Sequence, residues 1–416
     1  MKKNSIYGNL VFAPVLLALA MFAGCTADDD ENGGKTDYYM LTPVIATNTG
    51  TPVVTRALAG DPDPIVWGLY EELYPMSLEN GPKIGVFVLD GNDPASFNSK
   101  PAWFQYVLEK DASGNYKRDA DGRLIGEWTG LNTHVNNNTE YYIYGFMSAN
   151  NESWNVTIAP ESGSYSNGAT MQMLSVKSVT ATDVCATVGI LKADVSDLTD
   201  ATLMKNTIIN GGKEGQPGLG NFKYKAETRN NFLYLWLDHL YSCINFELQV
   251  GTEYSKLRKI KLKQVDFAIT NAVPAYNITV NLGSSGTAYA SFTPSGTPTA
   301  SVTDKIYEST AGEEIPVRSA DDSPSLSIPG YFAPSGTFSG QQVKVTFTYD
   351  VYPINSDKPS RLNAQATNVL NIGDLLTAAG KTLGAGQLFT VKALIEPTYL
   401  YVLVDPDLDN PTVIFE

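Results

Sequence analysis

His134 and His239 are the only two imidazoles in 416 residues, and that scarcity narrows the available chemistry at once. A multi-histidine zinc centre is excluded, and a Ser-His-Asp arrangement would have only these two choices of base. His239 stands in WLDHLYSCINF, where an imidazole reads as packed and hydrogen-bonded rather than catalytic. The segment AAGKT (378–382) offers the Gly-Lys-Thr of a phosphate loop. However, the first glycine of that pattern falls on Leu375, and the expected helix precedes Gly-Lys instead of following it, so the match fails. Carboxylates are plentiful, yet no spacing sets two of them across a cleft as glycoside hydrolysis requires. No catalytic residue is assigned; the chain is expected not to be an enzyme and to need no cofactor.

The sharpest near-match to a metal site is DPDLDNPTVIFE (405–416). Asp405, Asp407, Asp409 and Glu416 fall where a calcium loop places ligands, but Asn410 replaces the turn glycine, Pro411 follows, and no exiting helix is present. An Asp-Pro and Asn-Pro hinge between two extended segments explains the same residues. No metal is assigned. On either side of the hinge the chain is apolar at successive positions: Tyr399, Leu400, Tyr401, Val402, Leu403 and Val404 before it, then Val413, Ile414 and Phe415 after it. Chain ends normally fray unless something holds them, so an apolar strand at this position calls for a partner.

A second strand-prone stretch lies near the other end, YYMLTPVIATNTGTPVVT (38–55), directly before Arg56. Arg56 is the only basic side chain between Lys35 and Lys83. A protease specific for arginine therefore finds one target there, the Arg56–Ala57 bond. Further upstream, Lys2 and Lys3 precede an apolar run from Leu10 to Phe22 that is too short to span a bilayer and ends in Ala23-Gly24-Cys25. This reads as an export signal, residues 1–24, and its ending resembles the lipobox of bacterial lipoproteins, with Cys25 as the lipidated residue. Asp28-Asp29-Asp30-Glu31 resembles the acidic tether of Bacteroidetes surface lipoproteins.

Across the whole chain, 29 Lys and Arg against 44 Asp and Glu leave a formal charge of −15. Such a surface repels phosphate backbones, which argues against nucleic acid and anionic membrane as partners. Beyond Cys25 only Cys185 and Cys243 remain, too few for a disulfide framework. KIGVFVLD (83–90), EYYIYGFM (140–147), CATVGILKADV (185–195), NFLYLWL (231–237), CINFELQV (243–250), VKVTFTYDVY (343–352) and LFTVKALI (388–395) are short runs rich in Val, Ile, Thr, Tyr and Phe, separated by turn clusters. In the sixth, Val343, Val345, Phe347 and Tyr349 alternate with Lys344, Thr346, Thr348 and Asp350, as in a half-buried strand. Helical signal is sparse: IGDLLTAAGKTL (372–383) is the better candidate and WGLYEELY (67–74) the weaker. The expected fold is all-β, two tandem β-sandwich domains with few short helices, divided at the Gly-rich loop 210–222.

The leader through Cys25, the spacer ending at Thr55-Arg56-Ala57, the LDHLYSCINFEL stretch (237–248) and the apolar C-terminal strand together resemble the Bacteroidales fimbrillin family, the type V pilins. The stretch departs from the family's His-x-x-Ser-Lys form by carrying Cys243 at the basic position. The resemblance implies transthyretin-like sandwiches and the following plan: 25–56 a lipidated, acidic, strand-forming propeptide; 57–222 an N-terminal sandwich; 223–397 a C-terminal sandwich; 398–416 a donor-strand segment. It also implies a lipoprotein precursor at the outer membrane, cut after Arg56 by an arginine-specific extracellular protease. Departure of the first strand then opens a groove that another subunit's C-terminal strand fills, giving an extracellular fimbrium. The expected partners are other fimbrial subunits and the protease, with membrane contact through the lipid before processing.

Two further readings stand beside this one. A fimbrial anchor or tip subunit needs only one open end. A surface glycan-binding lipoprotein would use exposed aromatics, and Trp67, Trp103, Trp128 and Trp154 fall near expected loops in the first half.

Overall fold

The computed structural model describes residues 38–40, 42–48, 67–69, 83–90, 101–112, 117, 125–130, 134–136, 140–147, 156–191, 208–209, 223–225, 232–282, 290–318, 325–334, 341–373, 386–398 and 407–415. Each apolar run expected to be a strand forms one: Lys83–Asp90, Glu140–Met147, Cys185–Leu191, Phe232–His239, Ser242–Val250, Gln342–Pro353 and Leu388–Thr398. β-Branched and aromatic residues fill these runs because their stiff side chains pack well on a pleated surface. In Gln342–Pro353 the expected inner face is fully buried at Val343, Val345, Phe347 and Tyr349. Asp350 departs from the alternation: it is buried, and its Oδ1 accepts the Asn363 N–H at 2.8 Å.

Helix is confined, among the described residues, to short pieces such as Thr252–Ser255 and the 3-10 turn Tyr165–Asn167. The weaker helical expectation is corrected at its start. Trp67–Leu69 is a strand, because its backbone pairs with Thr42–Asn48, and a partner outside the local sequence overrides local propensity. The stronger one, 372–383, lies outside the described residues beyond Gly373.

Two hydrophobic cores organise the strands into two sandwiches. The first lies under a ten-stranded sheet whose path runs Trp67–Leu69, Thr42–Asn48, Phe232–His239, Cys185–Leu191, Glu140–Met147, Lys83–Asp90, Ala102–Leu108, Gly126–Gly130, with Ile208–Ile209 paired to Cys185–Leu191 and Lys223–Lys225 to Glu140–Met147 off that path. A four-stranded sheet, Ala290–Pro294, Ala275–Asn281, Ala169–Lys177, Val156–Pro160, closes it with Met171, Met173, Ile278 and Val280. The second core lies between a five-stranded sheet (Val179–Thr180, Leu326–Phe332, Ser242–Val250, Leu388–Thr398, Asp407–Phe415) and a four-stranded one (Thr299–Glu314, Arg258–Ala272, Gln342–Pro353, Arg361–Asn371). Phe246 anchors it, edge-on to Phe267 at 6.1 Å and to Phe347 at 6.0 Å, the arrangement ring quadrupoles favour.

Strands on either side of residue 222 contribute to the first sandwich, since Phe232–His239 pairs with Cys185–Leu191 and Ala275–Asn281 pairs with Ala169–Lys177. The chain passes between the cores where strands alternate their side chains. Cys243 and Tyr331, opposite each other in one ladder, face the first core, while their neighbours Ile244 and Phe332 face the second.

Two local devices hold the register of the large sheet. Across from Gly85, the Phe146 ring occupies the space a side chain would take: a Cβ there would lie 2.4 Å from Phe146 Cζ. Where the ladder between Cys185–Leu191 and Glu140–Met147 ends, the Thr187 hydroxyl takes over, donating to the Gly145 carbonyl at 2.7 Å and accepting the Gly145 N–H. Both backbone groups of Gly145 are thus satisfied in a fully buried position, where an unmet hydrogen bond would be costly.

Candidate assembly site

Thr42–Asn48 is an interior strand of the ten-stranded sheet although it precedes Arg56 in sequence. On one side it runs parallel to Phe232–His239, with Thr42 opposite Phe232, Ile45 opposite Leu235 and Thr47 opposite Leu237. On the other it pairs antiparallel with Trp67–Leu69, Ala46 opposite Leu69 and Asn48 opposite Trp67. A parallel pair cannot be closed by a tight turn and needs chain between its members. Here almost the whole first sandwich lies between them.

The two flanking ladders differ in what supports them. Phe232–His239 is anchored in the first core by Leu235, Leu237 and His239, which alternate on its buried face. It is bonded on its far side to Cys185–Leu191. Among the described residues, Trp67–Leu69 pairs in the sheet only with Thr42–Asn48. Removing Thr42–Asn48 would therefore open the edge of a buried, well-held strand from Phe232 to Leu237, and would strip Trp67–Leu69 of its ladder.

Arg56 and Ala57 fall in the connection 49–66 between these antiparallel strands, outside the described residues, as does Cys25. The connection far exceeds the two to five residues, roughly, that join a tight hairpin.

At the other end, Asp407–Phe415 forms the outermost strand of the five-stranded sheet. It runs antiparallel to Leu388–Thr398, with Val413 opposite Ile395, Ile414 opposite Leu394 and Phe415 opposite Ala393. Tyr399, Leu400, Tyr401, Val402, Leu403 and Val404 lie outside the described residues. Extended backbone from Asp407 onward takes the place of the calcium-loop geometry to which 405–416 was compared.

Sequence reasoning picked out the strand-prone segment 38–55 but not its partner. Parallel pairing across the length of a sandwich leaves no local signature, and the apolar LYLWL of 233–237 was the single available hint. It also missed a buried polar cluster in the first core. His239 Nδ1 lies 2.5 Å from Asp183 Oδ2 and 3.4 Å from Cys185 Sγ, with all three residues almost wholly removed from solvent. The second carboxylate oxygen of Asp183 accepts the Val184 N–H at 2.7 Å. His239 is thus the packed, hydrogen-bonded residue its surroundings foretold. Cys185 and Cys243 are both buried and are not joined in a disulfide. Burial, and after it the charge of Asp183, pushes the Cys243 thiol well above its ordinary pKa.

Of the tryptophans weighed as a sugar platform, Trp103 packs edge-on against Phe146 at 5.4 Å, at the margin of the first core. Trp154 lies outside the described residues. Among the described residues no helix is long and apolar enough to cross a membrane.

Fold and site together define a double β-sandwich whose first sheet incorporates a strand from ahead of a lone arginine. No protein-family model and no curated protein sequence matches the chain. Among solved structures it is similar to a fimbrial protein from Bacteroides vulgatus, at 8% identity over 91% of this chain and 98% of that one, with a TM-score of 0.33. It is also similar to a fimbrial assembly protein from Parabacteroides distasonis, at 13% identity over 91% of this chain and 100% of that one, with a TM-score of 0.28.

Proposed function

We propose that this chain is a structural subunit of an adhesive surface filament, with no catalytic role. In this reading it is exported as an outer-membrane lipoprotein through Cys25, cut after Arg56 by an extracellular arginine-specific protease, and polymerised into an extracellular fimbrium by strand exchange. The observation that carries it is the interior position of Thr42–Asn48, a strand on the N-terminal side of Arg56. Uncut, the chain fills its own groove. Once cut, that strand is held only by non-covalent contacts, and any segment able to supply the same ladder competes for the edge of Phe232–His239. An open apolar sheet edge is unfavourable in water, so refilling it drives association.

The segment 398–416 of another copy is the donor. Asp407–Phe415 sits at a sheet edge, so it leaves by breaking one ladder rather than two. Strand addition supplies main-chain hydrogen bonds for affinity and side-chain pockets for register. Donor and acceptor are different surfaces, so the contact propagates into a filament and does not close into a dimer.

One observation favours a second reading. Asp407–Phe415 is docked on its own Leu388–Thr398, and a subunit that keeps it docked accepts a neighbour without donating to one, as a fimbrial anchor or tip does.

The test is limited trypsin digestion of residues 26–416, following the new N-terminus and the particle mass over time. A product beginning at Ala57 that grows into multimers without covalent links is the expected result, with Arg56→Ala remaining monomeric. A clean cut at Arg56 that leaves a stable monomer at high concentration would overturn self-polymerisation and move the reading to the terminal subunit.

A further inference from the structure

The buried cluster in the first core has no part in strand exchange, and its composition and geometry point to a ligand. The ladder and the segment leading into it bring it together. Residues directly opposite in an antiparallel ladder share a face, and Cys185 is opposite His239. Asp183 lies two residues ahead of Cys185, in the irregular segment just before that strand, and its carboxylate reaches His239. Carboxylate, thiol and imidazole consequently converge, their ligating atoms all within 4.8 Å of one another, at relative exposures of 1% for Asp183, 0% for Cys185 and 3% for His239.

We propose that Asp183 Oδ2, Cys185 Sγ and His239 Nδ1 are three ligands of a buried site for one divalent cation of borderline softness, of the zinc class. The donor set selects that class. Thiolate and imidazole together favour zinc over calcium or magnesium, which take oxygen. A thiolate, a carboxylate and a neutral imidazole also sum with a doubly charged ion to zero net charge, the condition under which a site this deep avoids the cost of a buried uncompensated charge.

The geometry lies within reach of the bound form. Tetrahedral zinc with bonds of about 2.0 Å to nitrogen and oxygen and about 2.3 Å to sulfur sets its ligand atoms about 3.3–3.8 Å apart. Cys185 Sγ and His239 Nδ1, at 3.4 Å, already meet that spacing, and the 2.5 Å contact of Asp183 with His239 has to open by about 1 Å. Binding releases the Cys185 thiol proton to solvent, and a proton on His239 Nδ1 passes to Nε2 where the imidazole is neutral or to solvent where it is an imidazolium, so the bound imidazole is neutral in either case. His239 also borders a narrow crevice with Tyr241, Cys243, Tyr331 and Gly386–Leu388 that is too tight for a water molecule, so a cation and its fourth ligand enter only as those side chains part. A cation there would tie Phe232–His239 to Cys185–Leu191 and so stiffen the wall against which Thr42–Asn48 lies.

The test uses residues 26–416, freed of metal by a chelator in a non-thiol reductant and checked by circular dichroism to be folded, then titrated with Zn²⁺ and with Co²⁺ as a spectroscopic probe. One equivalent per chain, a thiolate-to-cobalt charge-transfer absorption and a Tm that rises with Zn²⁺ are expected. Cys185→Ser should remove the absorption and weaken binding at least tenfold. Asp183→Asn, which preserves shape, should weaken binding by a similar factor, and Cys243→Ser should leave both absorption and stoichiometry intact. Folded wild-type protein showing neither the absorption nor a Tm shift at one equivalent would overturn the site, as would an absorption that depends on Cys243 and not on Cys185.

Discussion

Ile45 stands opposite Leu235 in a parallel ladder, so a residue ahead of the lone arginine is held by a strand that enters the sheet only after most of the first sandwich has been laid down. The strand containing Leu235 buries Leu235, Leu237 and His239 in the core. The strand containing Ile45 carries, beyond that ladder, the pairing to Trp67–Leu69. In the proposed exchange, the strand containing Leu235 stays and the strand containing Ile45 leaves.

Ala46→Pro tests the exchange directly. Ala46 is flanked on both sides, by Trp236 and by Leu69, so its backbone N–H faces a partner whichever way it points. Proline removes that donor from an interior strand, where it is poorly tolerated. After cleavage at Arg56 the N-terminal fragment should dissociate at least tenfold faster than in the parent, read by size-exclusion chromatography of the nicked protein. Equal dissociation rates would show that this strand is not what retains the fragment.

Deleting 407–416 separates donating from folding. Leu388–Thr398 keeps its parallel pairing with Ser242–Val250 and its buried Phe389, Val391, Ala393 and Ile395, so the second sandwich should persist with a modest fall in Tm. The deleted chain should cap filaments of the full-length protein without extending them, scored by mixing the two and measuring filament length. Unchanged filament growth by the deleted chain alone would remove 407–416 from the donor.

Most of the strands were legible in the sequence because their apolar residues recur with the period of the pleat or run unbroken where both faces are covered, as from Ile84 to Leu89. Trp67–Leu69 was not, because the strand it pairs with among the described residues lies on the far side of Arg56. The sharing of strands between the sandwiches was hidden for a related reason: the glycine-rich loop at 210–222 looks like a boundary, but only the pairing of Phe232–His239 says which sheet follows it. Asp183 went unnoticed because one aspartate in ATDVC has no meaning until His239 is known to face Cys185.

Gly85 and Phe146 make a packing prediction. The Phe146 ring is fully buried, with Phe87 at 5.7 Å and Trp103 at 5.4 Å, so it has little room to swing away from a new Cβ. Gly85→Ala should cost about 1–3 kcal/mol by overpacking. The pair Gly85→Ala with Phe146→Leu should cost less than the two single changes added together, because the smaller side chain vacates the contested space. Strict additivity in denaturant midpoints would refute the contact.

Alkaline pH should destabilise the protein through its buried tyrosines. Burial pushes Tyr349 from 10.0 up to about 12, against a smaller opposing effect of Arg361, and burial raises Tyr144 and Tyr241 in the same direction. Below pH 10 these phenols are neutral in both folded and unfolded chains, and their contribution is fully present. Between pH 10 and about 12 the unfolded chain loses protons that folded Tyr349 keeps, so proton release favours unfolding and stability falls as pH rises. Urea midpoints at intervals from pH 8 to 11.5 should hold level and then decline above pH 10. Tyr349→Phe removes one titrating group, and its decline should be shallower by at most about 1.4 kcal/mol per pH unit, the free energy of one proton per unit. A parent and variant that decline in parallel would show that the Tyr349 hydroxyl ionises as readily in the folded chain as in the unfolded one, and that the second core is open to hydroxide where the packing of Phe347 and Tyr349 says it is closed.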